Sequence, residues 1–359
     1  MTRADRLAAL VVERELDALL VNDPVNLRYV TGFTGTNGLA VVGAGNDGVR
    51  RFLTDFRYVE RAEREVTGFD RLRGERDLLE SLRDALAERR PLRLGFDDAH
   101  VSVKSHRRLS GLLDEGVELV PAGGLVEQLR MVKEPGELER IAAAAALADE
   151  ALVATLTRGL AGRTEREVAL DLEDEMRHHG AQAPSFPSIV AAGPNGALPH
   201  AEAGYAEVPG GVLVIVDWGS LLDGYCSDCT RTFATGRLDG EVAEVYDLVL
   251  RAQQAGLEAV RPGPTGREVD RVAREVIEAA GHGEEFGHGL GHGVGLEVHE
   301  RPTMSKAGKD RLQAGNVVTC EPGVYLRGRL GVRIEDLVVV TEDGPRVLSS
   351  HPKELTEVD

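Results

Sequence analysis

An α/β protein of two domains is the architecture the sequence predicts, and three observations predict it. The chain has 359 residues, more than one hydrophobic core usually holds. Helical and strand-like segments alternate through residues 1 to about 120, as a compact α/β unit requires. After a break, long helices come first and paired strands follow, so a second unit begins. The expected domains are residues 1–125 and 126–359.

In the first domain "RADRLAALVVERELD" repeats apolar residues at the helical period. "ALLV" and "LAVVG" read as short buried strands and "RRFLTDF" as a third; "ERDLLESLRDALAERR" is an amphipathic helix, and "PLRLGFDD" opens a further strand. Gly123–Gly124 and Glu134–Pro135 mark the connection, since proline suits a first helical turn. In the second domain "ELERIAAAAALADEALVATLTRGL" is a long helix, and "TEREVALDLEDEMRHHG" is another, capped by Thr164 and stopped by Gly180. "GGVLVIVDWGSLLDGYCSDCTRTFAT" reads as two strands joined by a turn at Asp223–Gly224. Helices follow at 241–259 and 266–280, and "AGNVVTCEPGVYL" with "GVRIEDLVVVTEDG" is strand, turn, strand.

Composition narrows the function. Sixty acidic against 42 basic residues leave a net charge of −18, which repels phosphate backbones and anionic lipids, so neither nucleic acid nor a membrane is an expected partner. Glu13, Arg14 and Glu15 interrupt the apolar amino-terminal segment, which argues against a signal peptide or span and for a cytoplasmic protein. Cys226 and Cys229 form a C-x-x-C, but Cys320 is the one other cysteine, too few for a zinc knuckle. The surrounding β-formers do not suit a thioredoxin-like site either.

The chemistry lies in acids where acids are costly. Asp217 ends the apolar run "VLVIVD", and an ionised carboxylate there needs a partner or a metal. Asp228 lies on the returning strand, opposite or diagonal to it, and two such carboxylates raise one another's pKa unless a cation lies between them. Glu321 after "NVVTC" and Glu335 in "VRIEDLVVV" repeat the pattern. A lone strand-end acid is ordinarily salt-bridged, whereas four with a histidine-rich segment, "GHGLGHGVGLEVHE", are another matter. Four negative charges balance two divalent cations, and an oxygen-rich set suits manganese or cobalt. Such a pair activates water for amide or phosphate ester hydrolysis.

Together the motifs resemble one family over nearly the whole chain, the pita-bread metallopeptidases of the aminopeptidase P and prolidase group. They are "ALPH" with His200, "VDWGS" with Asp217, "SDCTRT" with Asp228, "HGLGHGVGLEVHE" with His288, His292 and His299, "CEPGVY" with Glu321 and "RIED" with Glu335. The resemblance implies a creatinase-like α/β amino-terminal domain followed by a pita-bread (α+β) catalytic domain. It implies that Asp217, Asp228 and Glu335 bind one ion, and that Asp228, His292, Glu321 and Glu335 bind the other. His200 and His299 would hold the substrate carbonyl and its oxyanion, and Glu321 would move the proton to the departing proline nitrogen. His288 would line the pocket or bond a backbone carbonyl, Tyr325 would touch the substrate or pack, and Arg333, grouped with the substrate-binding residues, would steady a ligand carboxylate or pair with a surface acid.

Gly287, Gly289, Gly291 and Gly293 would let the main chain approach the metals and the peptide. His178 and His179 read as structural at a helix end, and His100, His106, His282 and His351 as surface groups. The implied activity is Xaa-Pro peptide hydrolysis by a homodimer, with Mn2+ or Co2+ ahead of Zn2+ or Fe2+. Thr303 stands where strict dipeptidases of the family carry an arginine for the proline carboxylate, which tilts the expectation toward an aminopeptidase P-like enzyme over a strict Xaa-Pro dipeptidase. A metal-free pita-bread binding module is the reading outside catalysis, and the full acid set weighs against it.

Overall fold

The computed structural model describes residues 1–45, 48–86, 93–113 and 116–358. The chain divides into two units, Met1–Arg130 and Met131–Asp359. The expected boundary after residue 125 falls one residue into a helix, Leu125–Arg130, that packs on the first two helices of the first unit and so belongs with it.

In the first unit α1 (Arg3–Glu13) leads to β1 (Ala18–Val21), then α2 (Pro24–Thr31), β2 (Gly38–Gly43) and β3 (Arg50–Thr54). Thr2 caps α1 in a capping box with Asp5, and the helix ends before Glu15, whose φ is +54°, so it is shorter than its apolar period implies. There follow α3 (Val59–Glu65), β4 (Asp70–Arg73), α4 (Leu78–Leu86), β5 (Arg93–Phe96), α5 (Val103–Leu112), β6 (Glu118–Pro121) and α6 (Leu125–Arg130). The expected continuation of the α4 helix through 87–90, and the first residues of the strand expected from 91, lie outside the described residues. The strands form one sheet in the order β4-β3-β2-β1-β5-β6, with β1 and β5 parallel and β2 antiparallel to both neighbours. Leu20, Val41, Leu53, Leu82 and Leu94 fill its core.

The second unit opens with α7 (Pro135–Leu156), proline in its first turn as expected, and α8 (Glu165–His178). Thr164 caps α8 through Glu167, and Gly180 follows it at φ +110°. Short strands β7 (Ala183–Pro184) and β8 (Ile189–Ala192) and a 3-10 turn at Gly193–Ala197 precede β9 (Leu213–Trp218). Then come β10 (Ser220–Leu222), β11 (Tyr225–Cys226) and β12 (Cys229–Ala234), followed by α9 (Gly240–Ala259) and α10 (Gly266–Ala279). Strands β13 (Gly291–Gly293), β14 (Glu300–Met304), β15 (Val317–Cys320), β16 (Gly323–Leu326), β17 (Leu330–Arg333), β18 (Asp336–Thr341) and β19 (Gly344–Val347) complete it.

Two helix pairs back two sheets. Leu152 of α7 and Leu172 of α8 pack with Val190 and Val216 of the β12-β9-β8 sheet. Val249 of α9 and Ile277 of α10 pack with Val318 and Val338 of the β14-β13-β15-β18-β19 sheet. Burying each such side chain contributes roughly 1.5–3 kcal/mol.

Both expected hairpins differ from the simple form, for local reasons. In the first, β9 pairs β12 with Asp217 opposite Thr230, and β10 and β11 make a separate small hairpin between them. Its turn has Asp223 at φ +48° and Gly224 at +78°, while Ser227 closes the crossing by donating its N–H to Ser220 O at 2.9 Å. Asp228 therefore stands just before the returning strand and not opposite Asp217. In the second, β15 pairs β18 up to Cys320 opposite Asp336, and β16 pairs β17 from Gly323 opposite Arg333. Pro322, which has no N–H to give a ladder, lies at the break. Glu321 and Glu335 occupy that break, one on each side.

Candidate metal centre

The two breaks bring the acids together. One carboxylate oxygen from each of Asp217, Asp228 and Glu335 lies within 4.8 Å of the others, and all three residues are buried. His292, in β13, extends the group: its Nε2 is 3.6 Å from Asp228 Oδ2 and 3.2 Å from Glu321 Oε1. Nδ1–H of His292 donates to Gly293 O at 3.1 Å, which leaves Nε2 as the atom that faces the acids. Thus Asp228 is common to two groupings, one with Asp217 and Glu335 and one with His292 and Glu321.

Asp217 and Glu335 each have one oxygen committed and another open. Arg333 Nη2 donates to Asp217 Oδ2 at 2.6 Å and the Thr230 hydroxyl to Glu335 Oε2 at 2.6 Å, while Asp217 Oδ1 and Glu335 Oε1 are buried without a hydrogen-bond partner. Orphaned carboxylate oxygens are costly, and a cation is the group that satisfies them without a proton. Burial, then Glu335, Asp217 and Glu321, push the Asp228 carboxyl well above its ordinary range. Burial, then Glu321 and Asp217, do the same to Glu335. Burial also raises Asp217, with Arg333 opposing. Burial works against ionised Glu321, yet His292 holds it down at about 2. Burial likewise disfavours charged His292, and Glu321 outweighs it to raise its pKa. The donor set, orphaned atoms and mutual repulsion all fit divalent cations, four carboxylates and one imidazole being oxygen-rich ligands.

The histidines surround the same cavity. A space of 480 Å³ is lined by His200, His288, His292 and His299 together with Asp217, Asp228, Glu321 and Glu335. Phe186, Pro187, Ile189 and Val298 give it an apolar wall, and Thr303 and Ser305 bring hydroxyls. The His292 and His299 rings meet edge to face at 4.3 Å. Burial and then His292 lower the His299 pKa, favouring a neutral imidazole.

His288 combines both of its expected readings: it lines the cavity, and its Nδ1–H donates to Gly289 O at 2.7 Å. Its Nε2 accepts from Tyr325 Oη at 2.9 Å, and that hydroxyl accepts from Arg333 Nη1 at 3.0 Å. Tyr325 thus has its hydroxyl engaged by two residues that line the cavity. Arg333 lines the cavity as well, with its Nε bonded to Thr230 at 3.0 Å and Nη1 also to Pro199 O at 3.0 Å, an arrangement that steadies Asp217.

Other expectations need correction. A β-carbon on Gly291 would meet Thr319 O at 2.1 Å, and one on Gly293 would meet Arg301 O at 2.3 Å. Close strand packing therefore requires these glycines, and Gly289 and Gly291 also line the cavity beside the acids, where the main chain was expected to come near. His351 is not a surface group: its Nε2 is buried, its ring edge meets Phe233 at 5.4 Å, and burial with Arg231 lowers its pKa to about 4. His178 and His179 each bond a carbonyl one turn earlier, at 2.9 and 2.8 Å, as helix-end groups do. The cysteine thiols are buried, with Cys226 near Leu296 O and Cys229 near Glu335 O.

Thr230 and Thr319 escaped sequence reading. Thr319 Oγ1 donates to Glu321 Oε1 at 2.9 Å and accepts His292 N–H at 3.0 Å, so it couples two of the converging groups. Strand pairing would have found Thr230, since it is the register partner of Asp217. A second grouping, Asp97, His100 and Glu127, occurs in the first unit. There the Asn26 amide already donates to Asp97 at 3.1 Å and to Glu127 at 2.6 Å, filling the place a cation would take.

Comparison with known proteins agrees with this geometry. Residues 139–342 match the model of metallopeptidase family M24, and residues 3–132 match the creatinase/prolidase N-terminal domain. An Xaa-Pro dipeptidase of Pyrococcus furiosus is 33% identical over 355 residues, 98% of this chain and 99% of its own. The structure of an Xaa-Pro dipeptidase from Bacillus anthracis superposes with a TM-score of 0.95 at 37% identity, covering 99% of both chains. That of an X-Pro aminopeptidase from Thermotoga maritima gives 0.88 at 36% identity, over 96% of this chain and 99% of that one. The creatinase-like and pita-bread folds expected from sequence are those of these structures. The chain belongs to metallopeptidase family M24 and is a hydrolase of that family, with a creatinase/prolidase domain ahead of its peptidase domain.

Proposed function

We propose that the protein is a dinuclear metal-dependent Xaa-Pro dipeptidase of the prolidase type. The observation that carries this is the set of three buried carboxylates within 4.8 Å, two of them with an orphaned oxygen. Asp217, Asp228 and Glu335 would hold one ion, and Asp228, Glu335, Glu321 and His292 the other, with Mn2+ or Co2+ favoured over Zn2+ or Fe2+. When bound, such ions polarise a carbonyl and lower the pKa of water toward neutrality.

The chain's own groups do the rest. His200 and His299 face the cavity, where an imidazole N–H can hold the peptide carbonyl and then its oxyanion. Glu321, a carboxylate that lines the cavity, can accept a proton and return it to the proline nitrogen as the bond breaks. The wall of Phe186, Pro187, Ile189 and Val298 suits an apolar pyrrolidine ring.

Dipeptidase is preferred to the aminopeptidase P-like reading because relatives that span the chain end to end bear that name. The second reading keeps a specific support: Thr303 lines the cavity at the position expected of an arginine clamp for a free carboxylate, and Arg333 is already paired with Asp217. Metal-reconstituted protein assayed on Gly-Pro against Gly-Pro-Xaa peptides tests both. Faster cleavage of Gly-Pro supports the dipeptidase, faster cleavage of the longer peptides supports the aminopeptidase, and no cleavage of either overturns the proposal.

A further inference from the structure

The loop that carries His200 has little of its own to hold it. From Leu198 to Ala206 only Ala201 is buried, and Leu198 and Tyr205 are 57% and 80% exposed. Apolar packing therefore does not set the position of the imidazole. Glu165, in the first turn of α8, is 3% exposed, and its side chain reaches out of the helix to both stems of this loop. Oε1 accepts the Ala192 N–H at 2.8 Å on the entering stem. Oε2 accepts the Gly204 N–H at 3.0 Å on the leaving stem and the Asn195 side-chain amide at 2.8 Å between them. Main-chain bonds from Glu165 and Arg166 to Ala206 and Gly204 anchor the end of the loop on the same helix start.

We infer that Glu165 is a positioning residue for His200: one buried carboxylate closes the loop by joining its two stems. All three partners are donors, so the site needs an acceptor-only group, and that distinguishes Glu from Gln at this position. Arg333 also holds this loop, through Pro199 O at 3.0 Å. The loop that carries the imidazole is thus tied both to a carboxylate anchored on helix α8 and to a guanidinium anchored at the acid cluster. Misplacement of a reacting group by about 1 Å can cost on the order of a hundredfold in rate.

The inference rests on the reading of His200 as a substrate-contacting group, and a double-mutant cycle separates the two. Glu165→Gln, His200→Ala and the double variant are assayed as full-length, metal-loaded protein on Gly-Pro, with metal content and thermal midpoint recorded. Glu165→Gln is expected to lower kcat about tenfold or more with metal content unchanged, and to cost less than about twofold once His200 is gone. Equal losses from Glu165→Gln in both backgrounds, or no loss in either, would overturn the inference while His200 keeps its role. Full activity in His200→Ala would remove the reading of His200 and the inference with it. If Glu165→Gln does not fold, Asn195→Ala removes one of the three donors and faces the same cycle. There a loss of about threefold that vanishes without His200 is expected, and a loss that persists overturns the idea.

Discussion

Arg333 and Asp217 meet through Nη2 and Oδ2 at 2.6 Å, with both side chains largely buried, while the second oxygen of Asp217 has no partner. The guanidinium also reaches Thr230, Pro199 and Tyr325, so it orients an acid, a hydroxyl and a loop at once. Arg333→Lys keeps one charge and loses that fork. We expect kcat/KM to fall at least about tenfold and metal affinity by roughly 10–100-fold, measured by activity against metal titration.

Lys133 and Glu300 form a second buried pair at 3.1 Å, their side chains 1% and 4% exposed. Glu300 Oε1 also accepts the Glu297 N–H at 3.1 Å, so the pair supports the segment that ends at His299. Removing the cation leaves an acid in a dry site, a loss of about 3–5 kcal/mol. Urea denaturation of Lys133→Met should show that loss, and adding Glu300→Gln should return part of it.

Gly291→Ala tests why the histidine segment is rich in glycine. Its β-carbon would meet the Thr319 carbonyl at 2.1 Å, one residue before His292. The strands must part, costing about 1–3 kcal/mol, and His292 must move with them. A lower thermal midpoint together with weaker metal binding is the expected result, whereas metal binding unchanged would restrict Gly291 to packing.

The pH dependence of stability should carry a mark of His351. Burial and Arg231 lower its pKa to about 4, below the ordinary value of 6.5. Between those values the unfolded chain binds a proton that the folded chain refuses, so stability rises with pH. That stability is present above about 6.5 and is lost as pH falls toward about 4. His351→Gln should flatten this part of the profile in denaturation experiments run from pH 4 to 7.

Much of this was legible in the sequence wherever local chemistry decides. Thr164, Glu167 and Gly180 mark the ends of α8 because caps and left-handed stops are local choices. Asp217, Asp228, Glu321 and Glu335 stood out because acids next to apolar runs need a reason. The ladder breaks at Ser227 and Pro322 were not legible as geometry, since crossing into a second sheet depends on partners far away in the chain. Glu165 was invisible for the same cause: an acid in a first helical turn reads as a dipole partner, and its true partners lie 27 to 39 residues on. The glycines stood out for their density beside the histidines, but the second demand on Gly291, the Thr319 carbonyl of the neighbouring strand, depends on a partner 28 residues away.

Crystals soaked in Co2+ and measured at its absorption edge test the central claim most directly. Two anomalous peaks about 3.5–4 Å apart are expected, one among Asp217, Asp228 and Glu335 and one against His292 and Glu321. No peak at these residues, or cobalt held at Asp97, His100 and Glu127 instead, would contradict it.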